Sequence, residues 1–127
     1  MTENQIAAAI VDAALKIHKT LGPGLLESVY QAVLDYELQK RGLRVAQQVG
    51  LPLRYEGMKL ELGFRVDLIV DEKVIIEIKS VEALAPVHKR QLLTYLKLTD
   101  LRLGLLMNFN VELMKNGIHR VVNKLAE

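Results

Sequence analysis

The sequence predicts an α/β domain with a mixed central sheet. Three observations support this: apolar residues recur at helical spacing over the first forty or so positions, alternate in strand-like fashion through the middle, and return to a helix–strand pattern near the C-terminus. The chain has 127 residues, of which 50% are hydrophobic and 25% charged, and this is enough material for one hydrophobic core. We therefore expect residues 1–127 to form a single domain.

Two helices are predicted first. Apolar residues at spacings of three and four indicate a helix from Glu3 to Leu21, and Gly22-Pro23-Gly24 ends it because proline cannot continue the hydrogen-bond ladder. A second apolar stripe indicates a helix from about Leu25 to Arg41, which Gly42 terminates. The chain should therefore begin with a pair of helices joined by a tight turn.

Strand patterns follow the second helix. Alternation of Val45, Val49 and Leu51 with polar residues, before a turn at Glu56-Gly57, indicates an edge strand or one arm of a hairpin. Two further strands are predicted over residues 59–70 and 74–80, joined by the three-residue polar turn at 71–73.

The C-terminal part adds a helix and a buried strand. Pro86 suits the first turn of a helix that runs to about Leu98, and the nearly all-apolar segment Leu101–Phe109 predicts a central strand covered on both faces. The sequence Lys115-Asn116-Gly117 predicts the turn of a small C-terminal β-hairpin. The predicted order is α-α-β-β-β-α-β, with that hairpin at the end.

Composition excludes several classes of protein. The absence of cysteine excludes disulfide scaffolds, zinc–thiolate sites, iron–sulfur clusters and cysteine nucleophiles. No apolar run reaches the roughly 18–20 residues of a membrane span, and the N-terminus lacks a secretory pattern, so we expect a cytoplasmic protein without a membrane partner. A net charge of +2 permits an anionic partner without requiring one.

Counting outward from the turn at 71–73 brings two acidic residues together. If Val70 pairs with Val74, then Asp67 lies opposite Glu77, and both share one face with Lys79 because side chains alternate along a strand. The opposite face is then wholly apolar and consists of Val66, Leu68, Val70, Val74, Ile76 and Ile78. A slip of one residue would destroy this separation, which favours the register.

Opposed carboxylates repel unless a cation lies between them, and a divalent metal would serve. With oxygen ligands from Asp67, Glu77 and the backbone carbonyl of Ile78, the expected ion is Mg²⁺, with Mn²⁺ as a substitute. Lys79 would supply a positive charge or a proton acceptor beside it. The competing interpretation is a solvated strand face with exposed ion pairs only.

The segment Gly24–Tyr30 matches a G-x-x-E-x-x-Y pattern, and Asp67, Glu77-Ile78-Lys79, Gln91 and Tyr95 follow it in order. Together they resemble the GxxExxY family of the PD-(D/E)XK nuclease superfamily, over most of the chain. The resemblance implies a restriction-endonuclease-like core and an endonuclease-like, Mg²⁺-dependent hydrolysis of phosphodiester bonds in nucleic acid. The proline of the superfamily's Pro-Asp pair is replaced here by valine.

The resemblance also implies roles for residues on two helices. Glu27 would complete the acidic cluster and Gln91 would lie near metal and phosphate, both as catalytic residues with Lys79, while Tyr30, Tyr95 and His88 would support them. Three of these residues have a structural alternative: Glu27 complementing the helix dipole, Tyr30 in the core, and His88 on a solvated helix face. His18, beside an apolar stripe, is expected to be a hydrogen-bonded structural histidine.

Two other functions fit the sequence. The C-terminal half carries scattered basic groups, which would suit a nucleic-acid-binding module without catalysis; they are Lys89, Arg90, Lys97, Arg102, Lys115, His119, Arg120 and Lys124. The high apolar content would suit a homo-oligomeric or partner-binding scaffold. A nuclease should cleave nucleic acid only with metal, a binding module should bind nucleic acid without metal, and a scaffold should do neither.

Overall fold

The computed structural model describes residues 1–126 and contains, within them, three α-helices and a five-stranded sheet. The elements in chain order are α1 Glu3–Leu21, α2 Glu27–Lys40, β1 Val45–Tyr55, β2 Met58–Val70, β3 Val74–Lys79, α3 Pro86–Thr99, β4 Leu103–Asn108 and β5 Ile118–Val122. The strands lie in the order β1-β2-β3-β4-β5. Only β3 and β4 are parallel, and the other neighbours are antiparallel. The predicted α/β class with a mixed sheet is confirmed.

Both faces of the sheet are covered. On one face α1 and α2 pack against the sheet through a large apolar cluster that includes Ile10, Leu34 and Ile76. On the other face Leu92 and Leu96 of α3 meet a smaller apolar cluster. β4 is buried along its whole length, as its apolar sequence predicts. No helix over residues 1–126 is long and apolar enough to cross a membrane.

The helices begin and end close to the predicted residues. Thr2 caps α1: its side chain accepts from the N–H of Gln5, and the Gln5 side chain accepts from the N–H of Thr2. His18, near the other end of α1, is buried and donates from Nε2 to the carbonyl of Val111 at 2.8 Å. The expectation of a structural histidine is confirmed.

The C-terminus differs from the predicted hairpin about Asn116-Gly117. Met114–Asn116 form one 3₁₀ turn, and the single strand β5 follows and pairs antiparallel with β4. Burial of Met114 against the core draws this segment inward. The carbonyl of Gly117 accepts from Asn108 N–H at 2.8 Å, which joins the 3₁₀ turn to the end of β4.

The β1–β2 hairpin reverses its side-chain alternation in the middle. Leu68 lies in the cluster under α1 and α2, whereas Val66, two residues earlier, lies in the cluster under α3. The assignment of Val66 to the same face as Leu68 is therefore wrong. The reversal coincides with Gln48 of β1, whose φ of 47° is in the left-handed region, between the pairs Gln47↔Leu68 and Val49↔Val66.

Candidate active site

The candidate site lies where β2 and β3 separate. The antiparallel register pairs Val70 with Val74 as predicted, and the ladder ends at the pair of Leu68 with Ile76. Beyond this pair, side-chain carboxylates accept the hydrogen bonds between the two strands in place of backbone carbonyls. Glu77 Oε2 accepts from Asp67 N–H at 3.2 Å, and Asp67 Oδ2 accepts from Ile78 N–H at 2.8 Å. The structure thus brings Asp67 and Glu77 together as the register count predicts.

The electrostatics of this pair are unfavourable for two charges. Glu77 is 8% exposed, and burial raises its pKa to about 8, helped by the hydrogen bond and negative charge of Asp67. The positive charge of Lys79 acts in the opposite direction but does not reverse the shift. At neutral pH the metal-free protein therefore holds a proton on this pair.

Glu27 approaches the end of β3 from the start of α2. Its Oε2 accepts from Ser80 N–H at 3.1 Å, and Ser80 Oγ donates to the carbonyl of Leu25 at 2.7 Å. Glu27 and Ser80 line an open cavity of about 550 Å³ together with residues 24–28 and Asn110. Over residues 1–126, however, no three His, Asp or Glu side chains gather in a group that could hold a metal. Glu27 lies at the end of β3 beside Ser80, and its membership of the acidic cluster stays a prediction.

Tyr30 holds the turn that precedes α2. It is fully buried and stacks on Phe109 with ring centroids 4.4 Å apart. Its hydroxyl donates to the carbonyl of Gly22 at 2.6 Å and accepts from Leu25 N–H at 3.2 Å. Gly22, at φ 75°, and Gly24, at φ 94°, supply the positive-φ residues of this turn. The G-x-x-E-x-x-Y segment therefore fixes the loop between α1 and Glu27 through the hydrogen bonds of the Tyr30 hydroxyl.

Of the three predicted residues on α3, Tyr95 is close enough to the acidic pair to feel its charge. Tyr95 is half-buried and stacks on Phe64 with centroids 4.8 Å apart. Burial, and then the negative charges of Glu77 and Asp67, raise its pKa, which places it within the field of the pair. Gln91 is exposed one turn earlier on the same helix.

His88 caps the same helix: its Nδ1 accepts from Ala85 N–H at 3.0 Å. This hydrogen bond gives His88 a capping role at the first turn of α3.

Two polar residues at the site were not anticipated from the sequence. Gln48 Nε2 donates to Asp67 Oδ1 at 3.3 Å and to Gln31 Oε1 at 2.8 Å. Asn108, at the end of β4 and beside Lys79 in register, holds the chain after β3 through both the N–H (3.1 Å) and the carbonyl (2.9 Å) of Val81. The available signal for the first was the doublet Gln47-Gln48, which interrupts the apolar alternation of β1.

Comparison with known proteins identifies the superfamily of this chain. A family model described as the PD-(D/E)XK nuclease superfamily matches residues 4–121. Searches of curated proteins and of solved structures give no match. The matched range includes α1 from its second residue, α2, α3, strands β1 to β4 and most of β5, and it contains Asp67, Glu77 and Lys79. The chain therefore belongs to the PD-(D/E)XK nuclease superfamily.

Proposed function

We propose that this chain is a metal-dependent nuclease that hydrolyses phosphodiester bonds in nucleic acid, and that it is a GxxExxY member of its superfamily. The observation that carries the proposal is the paired arrangement of Asp67 and Glu77 at the open end of β2 and β3. A buried pair of acids raises the pKa of one member, as it does here, and a bound cation would remove that cost.

The donor set suits Mg²⁺, with Mn²⁺ as a substitute. Mg²⁺ in phosphoryl-transfer sites is commonly held by one or two carboxylates, with water and substrate phosphate completing its coordination, so a third acidic side chain is not required. Asp67 and Glu77 would hold the ion. Ile78, whose N–H points toward Asp67, would add its backbone carbonyl, because the N–H and C=O of a strand residue point to the same side.

When bound, such an ion supplies Lewis-acid stabilisation of the phosphate and lowers the pKa of a coordinated water. Side chains of this chain would orient the substrate and the attacking water and stabilise the developing charge. Lys79 would place its ammonium against the negative charge that develops on phosphate oxygens, or orient the attacking water. In the displacement, the water oxygen forms a bond to phosphorus, the bond to the leaving oxygen breaks, and that oxygen takes up a proton.

The helices would position the substrate around this centre. Gln91, exposed on α3, would donate its amide to a phosphate oxygen, and Glu27, on the rim beside Ser80, would contact ordered water or substrate. Tyr30 would act by fixing the loop that carries Glu27, and His88 by fixing the first turn of α3. Tyr95 would shape the wall beside the acidic pair.

The test is a cleavage assay with single-stranded and duplex DNA and RNA, each with and without Mn²⁺. We expect cleavage of at least one substrate, only with the metal, and its loss in Asp67→Asn. No cleavage of any substrate in the presence of Mn²⁺ would contradict the proposal. Equal cleavage by Asp67→Asn would assign the activity to a contaminant.

A nucleic-acid-binding module without catalysis is the second candidate, and one observation favours it. Burial lowers the pKa of His119 on β5, and the charge of Lys89 on α3 adds to the effect, so Lys89 and the hydrogen-bonding imidazole of His119 lie near each other on a surface that α3 and β5 share. This candidate predicts binding of nucleic acid without metal and no cleavage with it.

A homo-oligomer is the third candidate. The far end of the β1–β2 hairpin exposes apolar side chains, among them Tyr55, Met58, Leu60 and Leu62. Sedimentation of the wild type against Leu60→Lys would test it, and a monomeric wild type would contradict it.

A further inference from the structure

Gln48 combines a strained backbone with a side-chain amide that donates two hydrogen bonds. Its φ of 47° lies in the left-handed region, where a residue with a long side chain is uncommon inside a strand. Its Nε2 donates to Gln31 Oε1 at 2.8 Å and to Asp67 Oδ1 at 3.3 Å. Because both partners are acceptors, the side-chain amide can face in one orientation only.

The hydrogen bonds continue from Gln48 into the helical layer. Gln31 of α2 donates from Nε2 to Gln47 Oε1 at 3.0 Å, and Gln47 donates to the buried carboxylate of Asp35. Gln39 donates to the other oxygen of Asp35 at 2.8 Å. A line of side-chain amides thus connects a carboxylate under α2 with the carboxylate of Asp67.

Asp67 is consequently held through both of its oxygens. Oδ2 accepts from the backbone N–H of Ile78, and Oδ1 accepts from Gln48. Two hydrogen bonds on opposite oxygens fix the plane of a carboxylate, whereas one leaves the group free to turn about its bond. The left-handed backbone of Gln48 lies directly where the alternation of β2 reverses, next to Asp67 in the hairpin.

We propose that Gln48 is a positioning residue: it fixes the rotamer of Asp67 from the α2 side and thereby sets the direction in which the carboxylate faces the active site. This rests on the proposed function for its catalytic consequence, but the positioning itself concerns Asp67 alone. Gln48 acts through Asp67 and touches neither the reacting atoms nor the phosphate. The same reasoning makes Gln31 a secondary support.

The direct test is the backbone amide of Ile78, observed by NMR in the metal-free protein. Gln48→Met keeps the length of the side chain and removes its donors, and Gln39→Met is the matched control because it removes an amide–carboxylate hydrogen bond at the far end of the same network. We expect hydrogen exchange of the Ile78 amide to accelerate about threefold or more in Gln48→Met and to be unchanged in Gln39→Met.

Steady-state cleavage supplies the second readout. Gln48→Met should lower kcat by about tenfold and leave KM for nucleic acid within about twofold, since a misdirected carboxylate affects the reacting geometry more than substrate binding. Gln31→Met should shift both readouts in the same direction by less.

An unchanged Ile78 amide in folded Gln48→Met overturns the proposal, and so does an equal change in Gln39→Met. An accelerated amide with unchanged kcat overturns the catalytic part. If the wild type cleaves nothing, the proposed function fails, while the amide measurement still decides whether Gln48 positions Asp67.

Discussion

Two glutamates of this protein expose the same small fraction of their surface and have opposite electrostatic surroundings. Glu37 of α2 is 8% exposed, and Lys16 Nζ lies 2.9 Å from its carboxylate, with Lys40 at 3.9 Å and Arg41 at 4.0 Å. These cations, and the hydrogen bond from Lys16 above all, lower its pKa. Glu37 is a carboxylate that the chain itself has neutralised, and it ties α1 to α2.

Glu77 is also 8% exposed, but its nearest charged partner is a second acid. No ion pair joins it to any residue in the described range 1–126, and burial together with Asp67 raises its pKa to about 8. The charge of Glu37 is balanced by three cations, whereas no ion pair within residues 1–126 balances Asp67 and Glu77, and this difference supports the proposed divalent cation. A divalent cation is the partner that fits two carboxylates.

The largest effect of changing the Asp67–Glu77 pair should appear in catalysis. Asp67→Asn and Glu77→Gln should each reduce metal-dependent cleavage by a factor on the order of 10³ or more, because each removes a charged ligand of the proposed ion. Glu61→Gln, at a glutamate that is 87% exposed, is the control and should keep the wild-type rate. Equal losses in all three variants would remove the distinction.

The role of Lys79 can be separated from that of the acids. Lys79→Ala should retain Mn²⁺ binding and lose rate by a factor on the order of 10², the scale of one positioned electrostatic or acid–base group. Lys19→Ala, an exposed lysine at the end of α1, should have no effect. A Lys79→Ala protein that cleaves as fast as the wild type would show that Lys79 is not catalytic.

Without metal, neutral substitutions of the two glutamates should change stability in opposite directions. At pH 8, Glu77→Gln should raise Tm because it removes a buried charge beside Asp67, whereas Glu37→Gln should lower Tm because it leaves the Lys16 ammonium without its carboxylate partner. Thermal melts monitored by circular dichroism in EDTA would measure both. Shifts of the same sign would mean that the two environments do not differ as described.

The raised pKa of Glu77 should also appear in the pH dependence of stability, as a smaller effect. The pKa of Glu77 is higher in the folded protein than in the unfolded chain. Its contribution to the free energy of unfolding is therefore fully present below the unfolded pKa of about 4.5 and is lost as pH rises toward the folded pKa of about 8. Metal-free wild type should therefore lose stability relative to Glu77→Gln across pH 5–8, by at most about 1.4 kcal/mol per pH unit. Urea unfolding of both proteins measures the difference, and parallel curves would contradict it.

Glu37 and His119 also have shifted pKa values, but neither shift interferes with the comparison of wild type and Glu77→Gln. The pKa of Glu37 is lowered from 4.5, so Glu37 titrates below this window. The pKa of His119 is lowered from 6.5, so its contribution is present above that value and lost as pH falls, opposite in sign to that of Glu77. Because His119 is common to both proteins, the difference between wild type and Glu77→Gln isolates Glu77.

Local signals were sufficient for most of the fold and for the centre of the candidate site. The three-residue turn after Val70 and the period-2 pattern on either side determine the β2–β3 register, and the register brings Asp67 to Glu77. The caps of α1 are encoded within four residues of its start. These features depend on neighbours in sequence, which is why a sequence alone predicts them.

The features that were not predicted depend on distant contacts. Gln48 is held by Gln31, seventeen residues earlier, so neither its left-handed backbone nor the reversal that moves Val66 to the α3 face follows from the pattern of β1 and β2. Glu27 accepts a hydrogen bond from Ser80, which lies fifty-three residues later in the chain, and no spacing rule predicts a contact at that distance. Likewise, burial of Met114 replaces the expected hairpin turn by a 3₁₀ turn.

The central claim is that a divalent cation completes the charge balance at Asp67 and Glu77, and calorimetric titration of the metal-free protein with Mn²⁺ tests it most directly. We predict saturable binding to the wild type at pH 8, retained in Lys79→Ala and Glu61→Gln, and loss of that binding in Asp67→Asn and in Glu77→Gln. Wild-type affinity for Mn²⁺ in the Asp67→Asn and Glu77→Gln proteins would contradict the claim.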